Sequence, residues 1–309
     1  MCLQVFAIIP NTLGSIATVF YILSALMAAL GNTFCLIVLW RPSNRTKSNK
    51  ILTSLALSDC CVGYMVTPMA VWLIKNGWQM TSNTCVVEDI YMVLGIWMVG
   101  CSSSSVVFIA YDRYLHLTKL SNYNIYMTNR KLNITIASYW CIFFGLALGC
   151  VYNVYYFVWA NFCFVVGPIT ALTICYIIIW RAVKRSRQRI ANAASGTSKV
   201  NEQRQVKLTR KVTLLIACYL VFLLPMLAWL IIVQVNTNNP GTISLEVFTH
   251  LFLVVSLFGL SNSCCNPVIY VMSDPMFKRA FKRMLGKTNI HSEISTSQKS
   301  SEPISTTVN

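Results

Sequence analysis

Charge is scarce in this 309-residue chain, in which only 11% of the residues are Asp, Glu, Lys or Arg. A soluble globular protein usually carries about 25% charged residues, so this composition excludes an ordinary soluble domain. A membrane-crossing helix needs about 20 consecutive apolar residues. Seven largely uncharged stretches approach or exceed that length, at 13–40, 51–74, 90–111, 132–152, 154–180, 212–234 and 246–272.

The apolar stretches also lack the alternation of polar and apolar residues that marks membrane β-strands of about ten residues. Helices and closed barrels are the two structures that satisfy every backbone polar group in lipid. The sequence therefore predicts an all-α membrane protein, a seven-transmembrane helix bundle.

Acidic residues are fewer than basic ones, with 9 Asp and Glu against 25 Lys and Arg. Every Lys and Arg except Lys75 lies in alternate gaps between the apolar stretches or after the last one. Such gaps are cytoplasmic by the positive-inside rule. We therefore expect a multi-pass plasma-membrane protein with its N-terminus outside and its C-terminus inside. The basic charge reflects topology, and a nucleic-acid partner is not expected.

The first 40 residues contain no Lys or Arg. A cleaved signal peptide begins with a positively charged region, so we expect 13–40 to be an uncleaved first span. Of the 13 cysteines, only Cys2, Cys85, Cys150 and Cys163 fall near the predicted outer face, where disulfides can form.

Internal repeats of the kind found in transporters are also missing, which argues against that class. The polar loop 187–207 is predicted to form two helix extensions around a flexible middle. The run MFKRAFKRMLGK after Asp274 predicts an amphipathic helix on the membrane surface. We assign 1–285 to the membrane domain and 286–309 to a disordered, Ser- and Thr-rich cytoplasmic tail.

Several polar residues interrupt the apolar stretches. The central ionisable one is Asp59, and an ionisable group at mid-membrane costs about 2.5–3.5 kcal/mol, so such groups usually have a function. The run FIAYDRYLHL places Asp112 and Arg113 side by side where the third stretch ends. The neutral polar residues are Asn32, Ser102 to Ser105, Asn262, Ser263 and Asn266. For a lone Ser or Asn, hydrogen bonding between helices is the better explanation, whereas for Asp59 a function is.

Together these residues resemble the rhodopsin-like (class A) G-protein-coupled receptors over about 13–285. The matching residues come in family order: Gly31-Asn32, Leu55 to Asp59, Asp112-Arg113-Tyr114, Trp140, Pro168, Tyr176, Pro225, Asn262-Ser263, and Asn266-Pro267 with Tyr270. One such motif alone means little, whereas the full set with seven spans is specific.

The resemblance implies that Asp112 and Arg113 pair at rest, and that Arg113 is freed to meet a G protein on activation. The implied switch residues are Asp112, Arg113, Tyr114, Tyr176, Asn266, Pro267 and Tyr270. Many relatives carry an acid on span six that restrains this Arg, and Gln205 stands at the matching position. We therefore expect measurable basal signalling.

The resemblance also implies a sodium site, formed by Asp59, Ser102, Asn262 and Asn266. A carboxylate with neutral oxygens suits a hard cation. A hydrated polar network without an ion is the alternative.

The chain departs from the family at the positions that anchor known ligand classes. Gly95 replaces the Asp of monoamine receptors, Leu260 the retinal-binding Lys, and Leu230 the Asn of adenosine receptors. Glu88 stands where the usual span-three cysteine is expected. Either Cys85 bridges Cys150 or Cys163, or no bridge forms. A short second outer loop without a bridge resembles the melanocortin and lipid-binding receptors, and the segment 112–131 resembles the melanocortin/adenosine/cannabinoid-like group.

An outer ligand pocket is implied at positions that could equally be plain helix packing. These are Tyr91, Met92, Gly95, Ile96, Val99, Asn161, Phe164, Leu223, Met226, Leu227, Leu230 and Ser256. Glu88 and Asp89 at its rim are expected to be solvated acids at a helix start, and attraction of a cation, a basic peptide or Ca²⁺ is the alternative.

The predicted function is that of a receptor coupling an unidentified extracellular ligand to a heterotrimeric G protein, and not an enzyme. A silent scaffold, a constitutively active orphan receptor and, more remotely, a transporter are the alternatives. Phosphorylation of the tail serines is expected to recruit an arrestin-like partner. These are Ser292, Ser295, Ser297, Ser300 and Ser301.

Overall fold

The computed structural model of the chain describes residues 6, 11–79, 81–118, 122–149, 154–192, 197–239, 241 and 243–286. The regular structure in these residues is helical throughout. The α-helices are α1 (Asn11–Leu39), α2 (Lys47–Cys61), α3 (Thr67–Asn76), α4 (Ser82–Thr118), α5 (Tyr123–Tyr126), α6 (Asn129–Gly149), α7 (Val154–Asn192), α8 (Thr197–Asn238), α9 (Leu245–Ser273) and α10 (Pro275–Met284).

Within the described residues, seven helical segments are long and apolar enough to cross a membrane, which confirms the predicted seven-transmembrane helical fold. Spans one to seven are Thr12–Leu39, Lys47–Asn76, Ser82–His116, Asn129–Gly149, Val165–Arg185, Thr213–Asn236 and Glu246–Ser273. Large apolar side chains on these helices remain exposed, among them Ile16, Phe20 and Leu30. Such a surface suits contact with lipid, because lipid solvates apolar side chains. Lipid cannot hydrogen-bond the backbone, and the helix satisfies its backbone groups internally.

Several helices run beyond the apolar stretches that predict them. α4 begins eight residues before the predicted stretch at 90, where Thr81 Oγ1 accepts from the backbone N–H of Thr84 at 3.3 Å. A side-chain oxygen at this position satisfies a donor that the first turn leaves open. α7 continues to Asn192 and α8 starts at Thr197, as the two predicted helix extensions, while 193–196 lie outside the described residues.

Span two is interrupted by a π-helical turn, Val62–Val66, between α2 and α3. Pro68 in the next turn has no N–H to donate, so the regular hydrogen-bond ladder cannot continue unbroken there. Gly63 lies in this turn against α1, and a Cβ on it would stand 2.4 Å from the backbone N of Ala29. The missing side chain therefore lets the two helices approach closely.

The core of the bundle joins α1, the π-helical turn, α3, α4, α7, α8 and α9 through buried apolar side chains. Tyr21 of α1 is fully buried and reaches α9, where its hydroxyl donates to Leu253 O at 3.0 Å and bonds Ser256 Oγ at 2.6 Å. Phe6 belongs to the same core and is 2% exposed.

Residues from Tyr270 onward form a second compact unit. Asp274 caps α10 by accepting from the N–H of Met276 at 2.8 Å, and Pro275 fills the first helical position, where no donor is needed. Phe277, 1% exposed, stacks on Tyr270 at 5.4 Å between ring centroids. The helix predicted after Asp274 is thus present. The predicted disordered tail, beyond Gly286, lies outside the described residues.

Candidate functional site

The side chains of Asp112 and Arg113 meet at the end of α4, and Asp112 is fully withdrawn from water. Arg113 Nη2 lies 2.6 Å from Asp112 Oδ2, with side-chain exposures of 12% and 1%. Ser48 in the first turn of α2 joins them, because its Oγ donates to Asp112 Oδ2 at 2.8 Å and accepts from Arg113 Nη2 at 2.5 Å. The Asp112 carboxylate is therefore buried although it stands at the end of a span. Its burial is compensated by hydrogen bonds.

The short helix α5 covers the pair from the side. The hydroxyl of Tyr123 donates to Asp112 Oδ1 at 2.7 Å. Burial and then the negative charge of Asp112 raise the pKa of Tyr123 well above its usual value, so the hydroxyl keeps its proton and stays a donor. Lys47 holds α5 in place by donating to Met127 O at 2.6 Å, with its Nζ 5.4 Å from the centre of the Tyr123 ring.

Only some of the N–H donors of Arg113 have hydrogen-bond acceptors in this arrangement. Its Nη2 serves both Asp112 and Ser48, whereas its buried Nε meets no acceptor in the described part of the chain. A guanidinium has five N–H donors, and a buried donor without a partner costs about 1–3 kcal/mol. A competing acceptor could therefore draw this side chain away from the pair.

A second polar cluster surrounds Asp59, which is fully buried. Ser263 Oγ and Ser102 Oγ donate to its Oδ1 at 2.7 and 3.1 Å, and Asn266 Nδ2 donates to its Oδ2 at 2.6 Å. Ser102 and Asn266 of the predicted sodium set thus reach the carboxylate, whereas Asn262 lines the cavity described next. Ser263 joins the cluster without having been predicted as a ligand.

An apolar cavity of about 110 Å³ lies among spans two, three, five, six and seven. We call it the apolar cavity. Its lining is Val66, Tyr91, Met92, Gly95, Ile96, Val99, Gly100, Val165, Tyr219, Phe222, Leu223, Met226, Trp229, Phe252, Ser256, Gly259, Leu260 and Asn262. None of these described lining residues is charged.

Most of the predicted pocket residues that the structure describes line this cavity. Leu230 is instead buried in the core at 1% exposure, and Leu227 packs against that core. The side chains of Asn161 and Phe164 lie outside the described residues. Trp229 and Phe252 line the cavity but were not predicted. The sequence signal that could have identified Trp229 as a lining residue is an aromatic side chain one helical turn after Pro225.

The remaining predicted switch residues lie on several helices. Tyr176 on α7 is 36% exposed, and Tyr114 follows Arg113 in a half-buried position. Pro267 packs on α1 at Gly31, where an added Cβ would stand 2.9 Å from its Cγ. Tyr270 stacks on Phe277 in the second unit. The side chain of Gln205 lies outside the described residues.

The structure bears on two predictions about the start of α4. Cys85 is disulfide-bonded, so the alternative without a bridge is excluded, and the partner sulfur lies outside the described residues. Glu88 is 4% exposed and has its own interaction partner, so it is not a solvated acid. Because α4 begins at Ser82, Glu88 sits in the second turn, where neighbouring helices already cover it.

No three His, Cys, Asp or Glu side chains cluster in a way that could hold a metal ion in the described part of the chain. The described geometry thus combines a buried ion pair at the end of α4 with an uncharged, apolar cavity between the spans.

The chain is similar in sequence to known receptors. The family described as 7 transmembrane receptor (rhodopsin family) matches residues 31–154 and 149–270. Melatonin receptor type 1B-B of Danio rerio is 23% identical over 288 residues, which cover 85% of this chain and 80% of that receptor. Adenosine receptor A3 of Bos taurus is 24% identical over 309 residues, covering 90% and 93%. 5-hydroxytryptamine receptor 2 of Aplysia californica is 24% identical over 328 residues, covering 87% and 75%.

These relatives carry different ligand names at nearly equal identity, so the assignment is made at the level of the family. The family match extends from the first span to the seventh, over the same residues that hold the Asp112–Arg113 pair and the apolar cavity. The chain therefore belongs to the rhodopsin family of seven-transmembrane, G-protein-coupled receptors, which are receptors and not enzymes.

Proposed function

We propose that the receptor takes an extracellular ligand into the apolar cavity and activates a heterotrimeric G protein by releasing Arg113. The observation that carries this proposal is the buried Asp112–Arg113 pair, closed by Ser48 and Tyr123. These two partners belong to α2 and α5, so a shift of α4 relative to them separates several hydrogen bonds together. Hydrogen bonds that break together give two distinct states, closed and open, and so act as a switch. The freed guanidinium then offers its donors to the G protein.

We further propose that the Arg113 end of the bundle faces the cytoplasm of a cell whose plasma membrane holds the receptor. Lys47 donates to Met127 O, which supports placing the basic gaps 41–50 and 113–131 at the same end. Basic loops favour the cytoplasmic side, which puts the N-terminus outside. The four basic residues of α10 favour contact with the anionic inner lipid surface.

The test uses membranes that contain the receptor, purified G proteins of each class, and a labelled GTP analogue that reports nucleotide exchange. Melatonin, adenosine and 5-hydroxytryptamine, named by the relatives, form the first ligand set. We expect basal exchange above that of receptor-free membranes with at least one G protein, and a further change with a ligand. Exchange no higher than in receptor-free membranes for every G protein would contradict the proposal.

A constitutively active receptor without a ligand of its own is the second candidate. Gln205 favours it, because it stands where many relatives carry a restraining acid. The small volume of the apolar cavity, about 110 Å³, favours it as well. In the same experiment this candidate gives high basal exchange that no ligand alters.

A sodium ion at Asp59 is proposed as a regulator of the resting state. The residues present fit a monovalent cation, because hydroxyl oxygens of Ser102 and Ser263 adjoin a buried carboxylate. Asn32, which donates to Ser263 O at 3.0 Å, has a buried Oδ1 that accepts nothing in the described part of the chain. No described Lys, Arg or His forms an ion pair with Asp59. A bound cation would supply the missing positive charge.

Arrestin binding through the phosphorylated tail is proposed as the step that ends signalling. Each phosphate adds about −1.5 to −2 charges to a Ser-rich segment that follows a basic helix. Removal of 288–309 should slow internalisation after stimulation, measured by the loss of surface receptor. A truncated receptor that internalises at the rate of the full chain would contradict this role.

A further inference from the structure

Phe6 occupies an aromatic site that adjoins the apolar cavity. Its side chain is 2% exposed. Its ring meets those of Tyr91 and Phe252 edge to face, with centroids 5.6 and 5.5 Å apart and planes at 78° and 86°. Edge-to-face contacts at such distances are a favoured geometry of aromatic pairs. Tyr91 and Phe252 belong to the cavity lining, so the Phe6 ring forms part of the cavity's surroundings.

The backbone at Phe6 is also held closely by the protein. A Cβ on Gly77 would stand 2.7 Å from Phe6 Cβ and 3.0 Å from Phe6 O, so the position tolerates only glycine without a shift. The close contact with Gly77 includes backbone atoms of Phe6, so it constrains the chain at Phe6 as well as the ring. Gly77 and the two facing rings together make a defined seat for one aromatic side chain, which we call the Phe6 seat.

The chemistry of the seat is aromatic and uncharged. Trp229 extends it behind Phe252, with ring centroids 5.2 Å apart. Of the polar groups close by, Ser256 Oγ bonds the hydroxyl of Tyr21 at 2.6 Å, whereas the buried indole N–H of Trp229 meets no acceptor in the described part of the chain. Glu88, one turn before Tyr91, has its own partner and is not among the described lining residues. A charged group would lose its hydration here, and Glu88, whose negative charge acts on Tyr91, already has an interaction partner of its own.

The volume of the cavity limits the size of a ligand that can enter it while Phe6 is in place. About 110 Å³ is well below the 300–1,000 Å³ of sites that hold drug-sized ligands. A larger ligand needs more room than the cavity has while the Phe6 ring is seated.

We infer that the Phe6 seat is an aromatic subsite of the ligand pocket, that Phe6 is its built-in occupant, and that a ligand with an uncharged aromatic group displaces it. The displacement by an extracellular ligand rests on the proposed receptor function. The binding chemistry of the seat does not, and it can be measured on the purified receptor without a G protein.

The test is chemical rescue of the Phe6→Ala receptor. The full chain is purified in detergent, and its melting temperature is measured with toluene, methylcyclohexane or benzylamine, which differ in aromaticity and charge. We expect Phe6→Ala to lower the melting temperature by several degrees and toluene to restore most of the loss. Wild type should shift much less with toluene, because its seat is filled. Methylcyclohexane should rescue less, and benzylamine, which is cationic at neutral pH, should not rescue.

A second variant guards against a poorly folded Phe6→Ala receptor. Gly77→Ala leaves Phe6 intact but pushes it from the seat, so toluene should stabilise this variant too. Gly167→Ala is the matched control, since a Cβ there meets nothing within 4 Å, and it should respond as wild type does.

Equal toluene shifts in wild type and both seat variants would overturn the inference, as would a Phe6→Ala receptor as stable as wild type. Rescue by methylcyclohexane equal to that by toluene would overturn the aromatic preference, and rescue by benzylamine would overturn the uncharged one. None of these outcomes bears on G-protein activation, which the nucleotide-exchange assay tests separately.

Discussion

Tyr123 is the residue through which the resting ion pair can be loosened with the smallest change. Tyr123→Phe keeps the ring and removes the hydroxyl that donates to Asp112 Oδ1 at 2.7 Å. A hydrogen bond to a charged group contributes about 1.5–3 kcal/mol, so the closed state of the pair loses stability. We expect basal nucleotide exchange to rise severalfold while surface expression stays the same.

Tyr126→Phe is the matched control, because Tyr126 lies on the same short helix and is 46% exposed. It should leave basal exchange unchanged. If the two variants behave alike, the hydroxyl of Tyr123 does not restrain the switch.

Asp59→Asn tests the sodium proposal at a single residue. The substitution keeps the shape of the side chain and removes the charge that a cation needs, while Ser102 and Ser263 still find an oxygen to donate to. We expect sodium to lower basal exchange in wild type and to have no effect in the variant, whose agonist response is weaker at normal expression. Replacing sodium by choline at constant ionic strength provides the control. An equal sodium effect in both receptors would rule out this site.

Asp59 and the Asp112–Arg113 pair could be predicted because ionisable groups stand out in apolar spans, and the resemblance to known receptors added Ser102 and Asn266. The partners of the Asp112–Arg113 pair could not be predicted. Ser48 reaches Asp112 from 64 residues away in sequence, and Tyr123 reaches it from the next loop. A lone Ser or Tyr has too many equivalent uses for its sequence context to identify such a contact. The burial of Asp112 was missed for the same reason, since those partners are what cover and satisfy it.

Among the helices, the approach of span two to span one depends on Gly63. A Cβ on Gly63 would stand 2.4 Å from Ala29 N and 2.9 Å from Ala29 Cα, so backbone atoms of α1 would have to move. Overpacking of this kind costs about 1–3 kcal/mol. We expect Gly63→Ala to lower the melting temperature of the purified receptor by several degrees.

Gly145→Ala in α6 is the control, since a Cβ there has nothing within 4 Å. Alanine is a better helix former than glycine by up to about 1 kcal/mol, so this variant should be as stable as wild type or more stable. A Gly63→Ala receptor with the melting temperature of the control would show that the helices adjust without cost.

The presence of the long helices could be predicted from the sequence, but the residues at which they begin and end could not. Hydropathy marks the part of a helix that lipid surrounds, so 90–111 identified α4 but not its start at Ser82. Backbone hydrogen bonds continue into polar residues until a cap such as Thr81 ends them. The π-helical turn at Val62–Val66 also escaped prediction, because it depends on Pro68 and on the contact of Gly63 with α1 together.

For the whole molecule, the number of spans and the fold class follow from composition, because few arrangements satisfy a long apolar chain in lipid. The apolar cavity is harder to predict, since its walls come from five spans. Positions such as Tyr91 and Met226 were found through the resemblance to known receptors. Trp229 and Phe6 were not, because they meet their neighbours only in the folded bundle.

Arg113 is proposed to activate a G protein when its resting pair with Asp112 opens. Arg113→Ala removes the guanidinium, and Asp112 keeps two hydrogen bonds, from Ser48 and Tyr123, that help it remain buried. The decisive measurement is nucleotide exchange by purified G proteins in membranes that hold equal amounts of folded wild-type and Arg113→Ala receptor. We predict that wild type shows basal exchange and that Arg113→Ala shows none above receptor-free membranes. Exchange by Arg113→Ala equal to that of wild type would contradict the account.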